Sequence, residues 1–67
     1  MTVREMQDCA IGYKLHDGYE VVDLYYDKYR KLIVLIAANR ELNHISENTF
    51  SSKKGVLCFL FQHHKKG

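Results

Sequence analysis

Two runs in this 67-residue chain are apolar at every position. Leu32-Ile33-Val34-Leu35-Ile36-Ala37-Ala38 spans seven residues, and Val56-Leu57-Cys58-Phe59-Leu60-Phe61 spans six. Neither approaches the ~20 apolar residues of a membrane-spanning helix. Short runs of this kind, dense in branched and aromatic side chains, read as strands apolar on both faces. Such strands need cover on both faces, yet a chain this short buries only ~60% of the surface that its unfolded form exposes. One helix can cover one face. The other must be closed by curling the sheet into a small barrel or by a second molecule, because a large apolar patch is unusual on a monomer. Limited area therefore leads us to expect a homo-oligomer or a larger protein partner.

The flanking segments set the rest of the fold. Thr2-Val3-Arg4-Glu5 matches a capping box, in which the Thr2 hydroxyl accepts from the Glu5 amide and the Glu5 carboxylate reaches back. A short helix from Val3 to Cys9 follows, with Met6, Cys9 and Ala10 on one face. Asp17-Gly18 supplies the positive φ angles of a tight hairpin turn between Ile11–Leu15 and Tyr19–Tyr26. Asp27-Lys28-Tyr29-Arg30-Lys31 is a second turn, and Ser51-Ser52-Lys53-Lys54-Gly55 a third. Asn39 to Ser52 is polar and reads as loop, with room for a helical turn or a short strand. The competing reading is one helix over 19–38, which holds no helix breaker and would place Asp23, Asp27, Arg30 and Lys31 on one face. The expected class is α+β, mostly β: a short N-terminal helix plus a small antiparallel sheet or partly closed barrel of four or five strands. Proline is absent and no linker or repeat interrupts the chain, so residues 1–67 form a single domain.

Composition narrows the function classes. Residues 1–8 are polar and lack the apolar core of a signal peptide. We therefore expect a cytoplasmic protein whose Cys9 and Cys58 are reduced and largely buried. The possible metal ligands Cys9, His16, His44, Cys58, His63 and His64 show no paired spacing, so no metal is expected. Gly12, Gly18, Gly55 and Gly67 are dispersed and make no phosphate-cradling loop. No local pattern joins a nucleophile to a base. Asp23 and Asp27 are four residues apart near a turn, as solvated charges are. No catalytic residue, cofactor or small-molecule substrate is expected, and no membrane.

Charge is unevenly distributed. Residues 1–27 carry Arg4 and Lys14 against six acids, a net −4; residues 28–67 carry eight lysines and arginines against Glu41 and Glu47, a net +6. If strands 32–38 and 56–62 are antiparallel neighbours, Lys28, Arg30 and Lys31 meet His63, His64, Lys65 and Lys66 at one edge. Tyr25, Tyr26 and Tyr29 lie near the first of these clusters. Cations interleaved with aromatic rings can hold phosphate and stack bases. The plainer reading is a solvated turn and tail with tyrosines in the core. Ile33, Leu35, Leu57, Phe59 and Phe61 form the candidate apolar interface. Opposite charges in the two halves favour head-to-tail self-contact or a strongly charged partner.

Tyr13-Lys14-Leu15-His16-Asp17-Gly18, then Tyr26-Asp27-Lys28-Tyr29 and the apolar run from Leu32, resemble the first motif of Sm-like RNA-binding proteins. Lys54-Gly55-Val56-Leu57 is faintly similar to the second motif. The resemblance covers about half the chain. It implies an N-terminal helix, a bent five-stranded barrel, ring assembly and RNA binding. In this sequence Asp23 stands near the family's second glycine and Lys31 replaces its asparagine.

The expected function is thus non-catalytic binding through protein–protein contacts, as an inhibitor, adaptor or regulator of a larger protein or nucleoprotein. The alternative is a nucleic-acid-binding regulator, including an Sm-like RNA-binding ring.

Overall fold

The computed structural model describes residues 2–62. The order of elements is α1 (Val3–Ala10), β1 (Glu20–Asp27), β2 (Leu32–Asn39), β3 (His44–Phe50) and α2 (Lys53–Gln62). The three strands form one antiparallel sheet in the order β1-β2-β3. The expected α+β class holds, with three strands rather than four or five. The sheet does not build a barrel, so the five strands implied by the Sm-like resemblance are not formed among the described residues.

Helix α1 begins at the capping box read from the sequence: Thr2 Oγ1 accepts from Glu5 N at 3.2 Å, and Thr2 N donates to Glu5 Oε1 at 3.3 Å. Met6 and Ala10, one turn apart, are buried, whereas Cys9 is exposed. The chain then turns at Gly12 (φ +91°) and runs beside the start of β1, with Gly12 N donating to Val21 O and Val21 N to Tyr13 O. Asp17-Gly18 makes the expected reversal. Gly18 has φ +87°, and Leu15 N donates to Tyr19 O at 2.8 Å. The hairpin is only a short bridge, Lys14 with Glu20, and a bulge at Val22 interrupts the pairing of β1 with β2.

The second turn is held by Asp27, whose Oδ1 accepts from Tyr29 N at 2.9 Å and Arg30 N at 3.1 Å. It leads into β2, where branched Ile33, Val34 and Ile36 favour extended backbone. Beyond that point one alternative left open by the sequence, a strand within 39–52, is taken up, and one expectation, a strand over 56–61, fails. Residues 39–52 hold β3, which pairs with β2 along its whole length from Asn39–His44 to Ile33–Phe50. The run from Val56 to Phe61 is helix, not strand. Ser52 Oγ accepts from Gly55 N at 3.3 Å and caps this helix. The run has a single β-branched residue, Val56, and its leucines suit a helix. One face is then fixed by Val56 and Leu60, four apart and both buried.

Alternation along β2 sets the two sides of the sheet. Ile33, Leu35 and Ala37 pack with Val21, Leu24, Met6, Ala10, Leu15, Val56 and Leu60 into one core under both helices. Helix α1 lies against β1, and α2 against β2 and β3. Leu32, Val34, Ile36 and Ala38 point to the side that neither α1 nor α2 covers.

Candidate functional site

Three surfaces could carry function, and the fold builds each from different residues. The first is the outer arc of α2. Lys54, Leu57, Cys58 and Phe61 are spaced three or four apart and so share one side of the helix. All four are exposed, Leu57 at 42% and Phe61 at 86%. Phe59 lies on a different side and is half-buried, meeting Phe50 edge-on with ring centroids 5.4 Å apart. The expected apolar interface is therefore divided. Ile33 and Leu35 are buried in the core, Phe59 is packed on β3, and Leu57 and Phe61 remain outside. Both cysteines are exposed free thiols, contrary to the expected burial, because the helices turn positions 9 and 58 outward.

The second surface is the uncovered side of the sheet. Its central apolar row is flanked by Glu20, Asp23, Tyr25 and Asp27 from β1 and by Ile45, Glu47 and Thr49 from β3. Arg30 reaches across this row. Its Nε donates to Asp27 Oδ2 at 2.8 Å, and its terminal nitrogens approach Glu47 Oε1 at 3.4 Å. The diagonal between these two acids passes over Val34, which is fully buried although it points away from the helices. The Arg30 hydrogen bond holds the Asp27 carboxyl below its usual range, and Asp27 in turn raises the Arg30 guanidinium. At the other end, Lys14 Nζ donates to Glu20 Oε1 at 2.7 Å and lowers that carboxyl too. Among the described residues, Asp23 has no ion-pair partner; its Oδ1 accepts from Leu24 N. A shallow cleft of about 430 Å³ opens here, with Val22 and Ala38 in its lining beside Lys14, Glu20, Arg40 and Glu41.

The third surface is the β1–β2 turn. Lys28, Tyr29 and Lys31 are exposed, Tyr29 at 99%. Arg30 is engaged with Asp27 and Glu47, so the turn does not offer three equivalent cations. Tyr25 belongs to the uncovered side of the sheet, and Tyr26 to the helix-covered side, opposite Ile33. The neighbour of β2 expected at 56–62 is instead β3, so the proposed meeting of the turn with the basic tail has no strand to carry it. His63, His64, Lys65 and Lys66 lie outside the described residues.

A smaller recess of about 260 Å³ lies between Asp17, Tyr19, Ser46, Asn48 and Phe59. Beside it, Tyr19 Oη and His44 Nδ1 share a hydrogen bond of 2.8 Å. Among the described residues, no three histidine, cysteine or acidic side chains converge to hold a metal. Among the described residues, no helix is long and apolar enough to cross a membrane. Comparison with family models, with curated proteins and with solved structures returned no match.

Proposed function

We propose that this protein is a non-catalytic binding domain acting through protein–protein contacts, as an inhibitor, adaptor or regulator of a larger protein or nucleoprotein. The observation that carries this reading is the outer arc of α2, where Phe61 is 86% exposed one turn from exposed Leu57. A helix usually hides its apolar stripe and turns polar residues outward. This one is apolar on both sides, and two large side chains stay in water although Val56 and Leu60 already anchor it. An aromatic and an aliphatic anchor on a rigid helix suit a partner's hydrophobic groove.

Nucleic-acid binding is the second reading, favoured by Tyr29, which projects between Lys28 and Lys31 where it could stack on a base. The two readings separate by paired variants of the tagged chain, recovered from cells that express it. Protein contact through α2 predicts that a stoichiometric protein partner, or a second copy, is kept by Lys28→Glu/Lys31→Glu and lost by Leu57→Glu/Phe61→Glu. Nucleic-acid binding predicts the reverse, with excess absorbance at 260 nm and steep loss of binding as salt rises. If the α2 variant keeps its partner, the protein-contact reading fails.

A further inference from the structure

The chain displays two apolar surfaces of opposite character, and among the described residues each lacks a cover. The outer arc of α2 presents Leu57 and Phe61 beside Lys54. The uncovered side of the sheet presents Val22 at 46% and Ile45 at 69% exposure, with Leu32, Ile36 and Ala38 partly exposed between them. Around that row stand Glu20, Asp23, Asp27 and Glu47, answered by ion pairs from Lys14 and Arg30. One surface is apolar with a cation; the other is apolar with a surplus of acids. A sheet with helices on one side only is also the place where a further helix can complete a layered fold.

We infer that the outer arc of α2 docks on the uncovered sheet face of a second copy of this chain, head to tail. This rests on the reading of α2 as a binding surface and names the partner for it. The cleft lined by Val22 and Ala38 receives the Phe61 ring, and Lys54 lies toward the acids around the row. The fit is heterologous: the surface used on one copy differs from the surface used on the next. Every added copy therefore leaves one helix arc and one sheet face free, and growth ends only if the rotation closes a ring. Few side chains take part, so the contact belongs with the small, transient interfaces below about 1,200 Å². Screening of the charge complement makes it weaker as salt rises.

A mixing experiment with the full chain tests this. Leu57→Glu/Phe61→Glu disables the helix arc, and Val22→Lys/Ile45→Lys disables the sheet face. All four positions are exposed, and circular dichroism verifies that both variants fold. Sedimentation equilibrium is then run over rising concentration. The expected result is a wild-type mass that climbs with concentration, two variants that each stay monomeric, and an equimolar mixture that forms a one-to-one pair and stops there. The pair forms because one variant keeps an intact sheet face and the other an intact helix arc. A monomeric wild type at every concentration overturns the inference. So does a wild-type dimer whose disabled variants fail to pair on mixing, because that behaviour belongs to a symmetric contact. Either result leaves the α2 arc to be judged separately by its retention of another protein partner.

Discussion

Three neighbouring residues of α2 should respond very differently to substitution. Leu60 is 6% exposed and packs with Val56, Met6 and Leu35 in the core. Leu60→Ala leaves a cavity there, a change that costs about 2–5 kcal/mol in packed interiors. A 67-residue domain has a total stability of roughly 3–10 kcal/mol. A loss near 3 kcal/mol would lower the melting midpoint by about 12–24 °C, at ~4–8 °C per kcal/mol for a domain of this size. Phe61→Ala removes a side chain that is 86% exposed and should stay within about 0.5 kcal/mol of wild type. Cys58→Glu is the decisive member. In the helix, position 58 points away from Val56 and Leu60, so a charge there meets water. In an extended strand, positions 56, 58 and 60 share one face, and the same charge would enter the core. Thermal melts followed by circular dichroism distinguish the cases. A Cys58→Glu penalty as large as that of Leu60→Ala refutes the helical account of this segment.

Three further outcomes follow from the turns and ion pairs. Gly18→Ala should cost about 1–2 kcal/mol from the positive φ alone, and a Cβ there would lie 3.1 Å from Asn39 Nδ2, so a urea melt indistinguishable from wild type contradicts the turn geometry. Asn39→Ala should cost about 1–3 kcal/mol, because this buried amide donates to Asp17 O and accepts from Leu42 N, tying two turns together; hydrogen exchange at the Leu42 amide should accelerate. Arg30→Gln should raise the Asp27 pKa toward its ordinary value near ~3.9, read by carboxyl NMR titration. The folded value lies below the unfolded one, so the stabilisation is fully present above the ordinary range and is lost as pH falls through the folded value; the variant should lose this part of the acid dependence, and an unmoved Asp27 titration counts against the ion pair.

How legible each element was depends on what held it. The start of α1, the Asp17-Gly18 reversal, the Asp27–Lys31 turn and the strand over 32–38 were all readable, because each rests on local chemistry: a cap, a positive φ, a side-chain-to-backbone bond, a branched run. Strand β3 was not. His44-Ile45-Ser46-Glu47-Asn48-Thr49-Phe50 is an edge strand whose order comes from pairing with β2, and a polar edge needs no apolar alternation. The segment 56–61 misled because an apolar run gives no period. Ser52 as a cap and the scarcity of branched residues were the available signals for a helix. That change of element also moved the candidate site. Ile33 and Leu35 went to the core, Leu57 and Phe61 to the surface, and Arg30 from a free basic edge to a strap between Asp27 and Glu47. Bringing Asp27 and Glu47 within reach of one guanidinium needs three strands in register, and no single segment of sequence shows it.

The charge asymmetry gained a location in the same way. Three of the six acids of the first half, Glu20, Asp23 and Asp27, border the uncovered sheet, while Lys53 and Lys54 sit at the start of the helix that follows β3. Opposite fields on two faces of one small body steer association more than they strengthen it.

The most direct test of the α2 surface is a photo-crosslinking side chain placed at position 61, with a second chain carrying it at position 29 for comparison. Illumination in the expressing cells should give a discrete protein adduct from position 61 that Leu57→Glu abolishes. No protein adduct from position 61, together with a nucleic-acid adduct from position 29, would contradict protein contact through α2.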